Sequence, residues 1–228
     1  MMIGTMNVLE RLISIVAPHN CLVCDAEGTL VCSNCASVLV CVSPPRCYRC
    51  YKLTTRSSTC KKCRKISSLS HVWITTQYTG VSKELIHVLK FERTRAATDV
   101  IVRAMLSSLP DEYQNAIVVP IPTATSRRRL RGYDQSVLIA SGISKHLHLP
   151  MKQLLVRIGQ SRQVGSSKAD RLKQLEHAYK VIRKDKVQGS HIILVDDVMT
   201  TGGTLESAAR TLKKAGASRV DAVVFARA

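Results

Sequence analysis

The sequence predicts an α/β protein, a parallel sheet flanked by helices, with a small cysteine-rich module in front of it. Three observations carry this. From Ala116 onward, strand, loop, helix, strand, helix and strand alternate, the order in which helical crossovers bring parallel strands together. All nine cysteines fall before residue 64, eight of them in Cys-x-x-Cys pairs. A Thr/Gly-rich segment lies between an apolar strand and an amphipathic helix near the carboxyl end. A chain of 228 residues with 45% apolar content can bury one globular core and carry one appended module.

At the amino end, Val8, Leu9, Leu12, Ile13 and Val16 recur at helical spacing and predict a short amphipathic helix. The apolar stretch Leu12 to Pro18 is far shorter than the roughly 20 residues a membrane helix needs. Arg11 precedes it, and no signal-peptide cleavage site follows. We therefore expect no membrane span and a cytoplasmic protein.

The cysteine pairs are Cys21 and Cys24, Cys32 and Cys35, Cys47 and Cys50, and Cys60 and Cys63. A Cys-x-x-Cys turn sets two thiolates on one side of a tight loop, and two such turns supply the four soft ligands of a tetrahedral zinc ion. Four pairs make about two zinc sites, paired either sequentially or in an interleaved fashion. Redox dithiols and iron–sulfur ligation are the alternatives. No His or carboxylate interrupts the thiolate pattern to leave an open coordination position, so the expected role is structural. Cys41, inside the apolar run Val38 to Val42, reads as a small packed side chain.

The composition changes near Ser70, which places a boundary between a zinc-ribbon module at 1–70 and the α/β domain at 71–228. Val72 to Tyr78 is β-branched and aromatic and reads as a strand. Ser82 is the expected cap of a helix marked by Leu85, Ile86 and Leu89 and ending near Lys90 and Phe91. A second helical pattern runs from Ala96 to Leu109. Ala116 to Pro120 reads as a buried strand, and Ile121 to Gly132 as a loop carrying Arg127, Arg128, Arg129 and Arg131. Asp134 fits the N-cap or first turn of a helix reaching His146. The last βαβ unit comprises a strand from His191 to Val195, a helix from Leu205 to Ala215 stopped by Gly216, and a strand from Val220 to Phe225.

The chemistry gathers at the end of the His191 strand, where open α/β sheets bind ligands. Asp196 and Asp197 are adjacent carboxylates able to accept hydrogen bonds from two neighbouring hydroxyls, as a ribose diol presents them. Thr200, Thr201, Gly202, Gly203 and Thr204 then bring backbone N–H groups, hydroxyls and a helix dipole to one point, which suits a monophosphate. No lysine follows the glycines, so this is not a Walker loop. Asp196 to Thr204, with Val198 and Met199 between, resembles the motif of type I phosphoribosyltransferases for 5-phosphoribosyl-1-pyrophosphate (PRPP).

The Cys-x-x-Cys pairs, Leu89-Lys90, Val119-Pro-Ile-Pro122, the basic loop ending Arg131-Gly-Tyr-Asp-Gln135 and the PRPP motif together resemble the ComF family across nearly the whole chain. Two positions depart from its usual pattern: Asp134 stands for Asn, and Gly203 for Ala. The resemblance implies a type I phosphoribosyltransferase-like domain behind a zinc ribbon. It also implies that Asp196 and Asp197 hold the ribose as the catalytic pair, that Thr200 to Thr204 hold the 5-phosphate, and that the Ile121 to Gly132 loop takes the pyrophosphate, with Mg²⁺ accompanying PRPP. The polar span Gly159 to Arg171 stands where the flexible hood of such enzymes lies. Some members serve DNA uptake in natural transformation, which implies a single-stranded DNA ligand and a competence helicase as partner.

The formal charge of +18 comes from 34 Lys and Arg against 16 Asp and Glu and calls for a polyanionic partner, whether nucleic acid or PRPP itself. Lys90 and the four loop arginines are candidates for either pyrophosphate or DNA phosphates. The leading expectation is single-stranded DNA binding in DNA uptake. A phosphoribosyltransferase acting on an unidentified acceptor and a PRPP-sensing regulator are the alternatives. With 4% aromatic residues, stacking platforms for bases are few.

Overall fold

The computed structural model describes residues 19–40, 44–91, 96–110, 113, 115–123, 132–158 and 178–228. Its strands are β1 (Val72–Gln77), β2 (Ala116–Pro120), β3 (Leu155–Arg157), β4 (Tyr179–Val181), β5 (His191–Met199) and β6 (Arg219–Arg227). β1, β6, β5 and β2 lie side by side in that order, all parallel, while β3 and β4 form a separate antiparallel pair. The sheet is covered on both faces, as parallel sheets require, and its strands are correspondingly apolar: all five residues of β2 are buried.

Successive residues of β5 serve opposite faces. Ile193 and Val195 pack with α1 (Gly80–Phe91), α2 (Ala96–Leu106) and α3 (Gln135–His146), through Leu85, Ile86, Leu89, Ile101, Met105, Ile139 and Ile143. Ile192 and Leu194 pack with α4 (Gly203–Lys214), through Leu205, Ala208, Ala209 and Leu212. Helices α2 and α3 meet closely at Gly142, where a Cβ would come within 2.6 Å of Val102 Cγ2. The segments bearing the cysteines join these same cores. Leu30, Val31 and Leu39 belong to the first apolar cluster, and Tyr48 and Leu69 to the second.

The amino ends of three strands are tied by one buried carboxylate. Asp221, wholly buried in β6, accepts from the His71 N–H (3.0 Å), from His191 Nε2 (2.8 Å) and from Arg219 Nε (2.8 Å). Burial opposes its ionisation, but hydrogen bonds from His191, His71 and Arg219 prevail and hold it well below the ordinary carboxylate range.

Several expectations hold and several shift. β2 has the expected bounds, and α3 begins one residue after Asp134, which caps it by accepting from the Ser136 N–H at 3.2 Å. Ser82 is not the cap. Helix α1 starts at Gly80, and Ser82, its third residue, turns back to accept from the Thr79 N–H at 3.2 Å, as the third residue of a capping box does. β5 runs on past Val195 to Met199, because pairing with Val224, Ala226 and Arg227 of β6 continues through the polar residues. Asp196 and Asp197 are therefore strand residues rather than the start of a loop. The expected helix near residues 8–16, Cys41, Arg127, Arg128, Arg129, Arg131 and the span 159–171 lie outside the described residues. Among the described residues no helix is long and apolar enough to cross a membrane.

Candidate functional site

β2 and β5 are paired neighbours, yet the chain leaving β2 enters α3 on one face of the sheet while the chain leaving β5 enters α4 on the other. In open α/β sheets, elements that diverge in this way mark the topological switch point, at the carboxyl ends of the two strands, where ligands bind. Four segments meet there. Lys90, near the end of α1, sets its Nζ 2.8 Å from Asp197 Oδ2. Asp196 Oδ1 accepts from its neighbour's N–H (2.9 Å) and from Ser136 Oγ (3.3 Å) at the start of α3. Asp134 accepts from both the hydroxyl (3.0 Å) and the N–H (3.1 Å) of Thr123, so it clamps together the two ends of the loop between β2 and α3. The Tyr133 hydroxyl donates to the Leu89 carbonyl and holds the same loop against α1.

Asp196 and Asp197 thus have different partners. Burial pushes the Asp196 carboxyl well up from its ordinary value, and the adjacent Asp197 charge adds to the shift. Asp197 carries the lysine partner. A carboxylate paired to a lysine beside a second that accepts from Ser136 gives a set of oxygens placed to accept from vicinal hydroxyls.

Beyond the acidic pair the strand ends and the chain turns sharply. Thr200 and Thr201 are exposed, whereas Gly202 is buried with φ +78°. That angle suits glycine, and a Cβ there would also meet Tyr48 Cε2 at 3.1 Å. Gly202 is the N-cap of α4 and offers no capping side chain. The helix therefore presents first-turn N–H groups next to the hydroxyls of Thr200, Thr201 and Thr204, an anion-binding arrangement. Val198 and Met199 stay within β5 and serve opposite faces, with Met199 buried in the cluster that includes α4 and Val198 packed against the cluster that includes α1, α2 and α3.

The eight described cysteines form two sets, Cys21, Cys24, Cys32 and Cys35, and Cys47, Cys50, Cys60 and Cys63; within each, the sulfurs all lie within 4.8 Å of one another. The pairing is sequential. Cys24 and Cys32 are 3.8 Å apart at sulfur, and Cys50 and Cys60 are 3.6 Å apart. A zinc tetrahedron with bonds of ~2.3 Å has edges of about 3.8 Å, so both sets fit zinc. The charge balance also favours a cation. The Cys32 N–H, 3.4 Å from its sulfur, draws Cys21 down to about 6, whereas the neighbouring Cys32 thiol pushes Cys35 up to about 12. Holding all four as thiolates takes a positive ion among them.

Sequence reasoning picked out the acidic pair, the threonine–glycine loop and the cysteine sets, and the structure brings Lys90 to the acidic pair. It missed Ser136, Thr123 and Glu206. Ser136 and Thr123 act through Asp134 and Asp196, and no local pattern marks them. Glu206 did leave a signal, a carboxylate directly beside the inward-facing Leu205 of α4.

Residues 133–228 match the family described as the phosphoribosyl transferase domain. The competence protein ComFC of Bacillus subtilis is 26% identical to this chain, in an alignment spanning 86% of the chain and 89% of the relative. Competence protein F of Haemophilus influenzae is 32% identical over 49% of the chain, and the DNA utilization protein YhgH of Escherichia coli is 30% identical over 60%. The alignments span only 50% and 63% of those two relatives' lengths. Among solved structures, the allosteric regulatory enzyme of purine biosynthesis aligns over 57% of this chain and 26% of its own, with 18% identity and a TM-score of 0.42. An adenine phosphoribosyltransferase from Thermoanaerobacter pseudethanolicus aligns over 62% and 84%, with 16% identity and a TM-score of 0.38.

Proposed function

We propose that this chain is a ComF-type protein that binds PRPP through a phosphoribosyltransferase-like site and single-stranded DNA through its basic surface, in the service of DNA uptake. The observation that carries the PRPP reading is the convergence of Lys90, Asp196, Asp197 and the turn into α4 on one crevice. In this reading Asp196 and Asp197 accept from the ribose hydroxyls. The N–H groups and hydroxyls of Thr200 to Thr204 donate to the 5-phosphate. The loop after β2, clamped by Asp134, brings its arginines to the pyrophosphate, and Lys90 adds positive charge beside it. Mg²⁺, when bound, supplies further neutralisation of the pyrophosphate. We take residues 1–70 as the zinc-dependent module and 71–228 as the ligand-binding domain.

Support for the DNA reading comes from the net charge of +18 and from relatives named for competence and DNA utilization. Near the second cysteine set, Lys61, Lys62, Arg64 and Lys65 are all exposed and offer one candidate surface; the loop arginines Arg127, Arg128, Arg129 and Arg131 offer the other. Calorimetry with Mg²⁺ and PRPP tests the first half. Replacing Asp196 and Asp197 together by Ala should abolish binding in a protein that still melts cooperatively, and unchanged affinity refutes the assignment. Fluorescence anisotropy with an unstructured oligonucleotide at several salt concentrations tests the second. If the loop arginines meet DNA, changing Arg127 and Arg129 to Ala flattens the dependence of log affinity on log salt, and PRPP competes. An unchanged slope moves the DNA surface to Lys61, Lys62, Arg64 and Lys65, and no binding at low salt removes DNA from the account.

A further inference from the structure

The second cysteine set is built into the helix that opens at the phosphate turn. Glu206 lies in the first turn of α4 and is buried. Its carboxylate accepts from the Tyr48 hydroxyl (2.7 Å), from Ser67 Oγ (2.8 Å) and from the Ser68 N–H (2.8 Å). The Arg49 guanidinium stands 3.9 Å away. Tyr48 and Arg49 are the two residues between the ligands Cys47 and Cys50, and Ser67 and Ser68 follow shortly after Cys63.

The same knuckle touches the turn itself. The Tyr48 ring covers Gly202, so closely that a Cβ would lie 3.1 Å from it. From the end of β6, Arg227 donates to the Tyr48 carbonyl at 2.9 Å and lays its guanidinium over the Tyr51 ring at 3.9 Å. Among the described residues the first cysteine set shows no such connection. Its neighbours Leu30, Val31 and Leu39 pack with α1, α2 and α3 in the apolar cluster on the other side of the sheet.

We infer that Tyr48, Ser67 and Ser68, held by the Cys47, Cys50, Cys60 and Cys63 set, are positioning residues for the turn Thr200 to Thr204, so that metal occupancy of this set governs ligand affinity at the turn. The inference rests on the reading of that turn as the 5-phosphate site. Its physical basis is the price of an orphaned carboxylate. If the knuckle loosens, Glu206 is left buried without its donors and the start of α4 must shift to rehydrate it. The N–H groups aimed at the phosphate move with the helix. Coupling of this kind is reciprocal: whatever factor the metal contributes to ligand affinity, the ligand contributes to metal retention.

The test uses the full zinc-loaded chain and two variants, Tyr48→Phe, which removes one hydroxyl and keeps the ring, and Glu206→Gln, which keeps the shape and removes the charge. Three readings are taken: PRPP affinity by calorimetry with Mg²⁺, the rate at which a chromophoric chelator withdraws zinc with and without PRPP, and amide exchange in residues 200–206. Coupling energies between sites typically correspond to about 5–150-fold, so each variant should weaken PRPP by about fivefold or more while retaining both zinc ions. In the wild type, PRPP should slow the release of one zinc of the two, and the variants should lose that protection. A role confined to stability would lower the melting temperature without this ligand-dependent slowing. Equal PRPP affinity, equal zinc protection and equal exchange in wild type and variants overturn the inference. If the wild type binds no PRPP but exchange in residues 200–206 quickens in both variants, the coupling stands and the PRPP reading falls.

Discussion

Replacing Asp221 with Asn removes the carboxylate that joins the amino ends of β1, β5 and β6. The side chain is fully buried and receives donors from His71, His191 and Arg219 at 2.8–3.0 Å. Asparagine retains one acceptor oxygen but sets an NH₂ group against donors that need an acceptor. Disrupting a buried charged network costs about 3–5 kcal/mol. Arg219 is 44% exposed, so its contribution is screened and the lower end, about 3 kcal/mol, is the expected loss. For a chain of this size that corresponds to a drop in melting temperature of roughly 6–12 °C. The pH dependence has a definite sign. A carboxyl held far below its ordinary value stabilises the fold at every pH above roughly 4, and that contribution disappears as pH falls from there towards the folded value. Guanidinium unfolding of wild type and variant at pH 7 should show the full gap, and the gap should close as the pH is lowered below about 4. A gap under about 1 kcal/mol at pH 7, or one unchanged at pH 3, refutes the reasoning.

Two further outcomes follow from packing and ligation. Metal analysis of the purified protein should give about two zinc ions per chain, and Cys47→Ser should lower zinc content and soluble yield; finding neither zinc nor another ion contradicts the reading of both cysteine sets. Gly142→Ala should destabilise the fold by about 1–3 kcal/mol, because its methyl would press on Val102 Cγ2 at 2.6 Å, and adding Val102→Ala should recover part of that loss in a double-mutant cycle.

The sequence made legible whatever is written locally. Ala116 to Pro120 is apolar throughout because both of its faces are covered, and that run can mean little else. The acidic pair and the threonine–glycine turn are contiguous, so the candidate site was visible before any fold was known. β5 was read too short because Asp196 and Asp197 look like a loop, whereas the backbone pairing with β6 is indifferent to side-chain polarity there. β3 and β4, three residues each, fall below the length at which alternation can be recognised. The strand order β1-β6-β5-β2 depends on contacts between residues some 150 apart in sequence and left no local trace. The carboxylates that proved informative, Asp221 inside an apolar strand and Glu206 beside Leu205, were visible as charges in positions that should be buried. Their partners, His191, His71, Tyr48 and Ser67, come from distant segments and could not be named in advance.

The most direct test of the central claim is a crystal structure of the protein with Mg²⁺ and PRPP. The account predicts the 5-phosphate seated in the turn Thr200 to Thr204 and accepting from the first N–H groups of α4. The ribose hydroxyls should donate to Asp196 and Asp197, and the pyrophosphate should lie towards Lys90 and the loop clamped by Asp134. PRPP bound at another place, or a crevice without ligand in crystals grown at saturating PRPP, contradicts it.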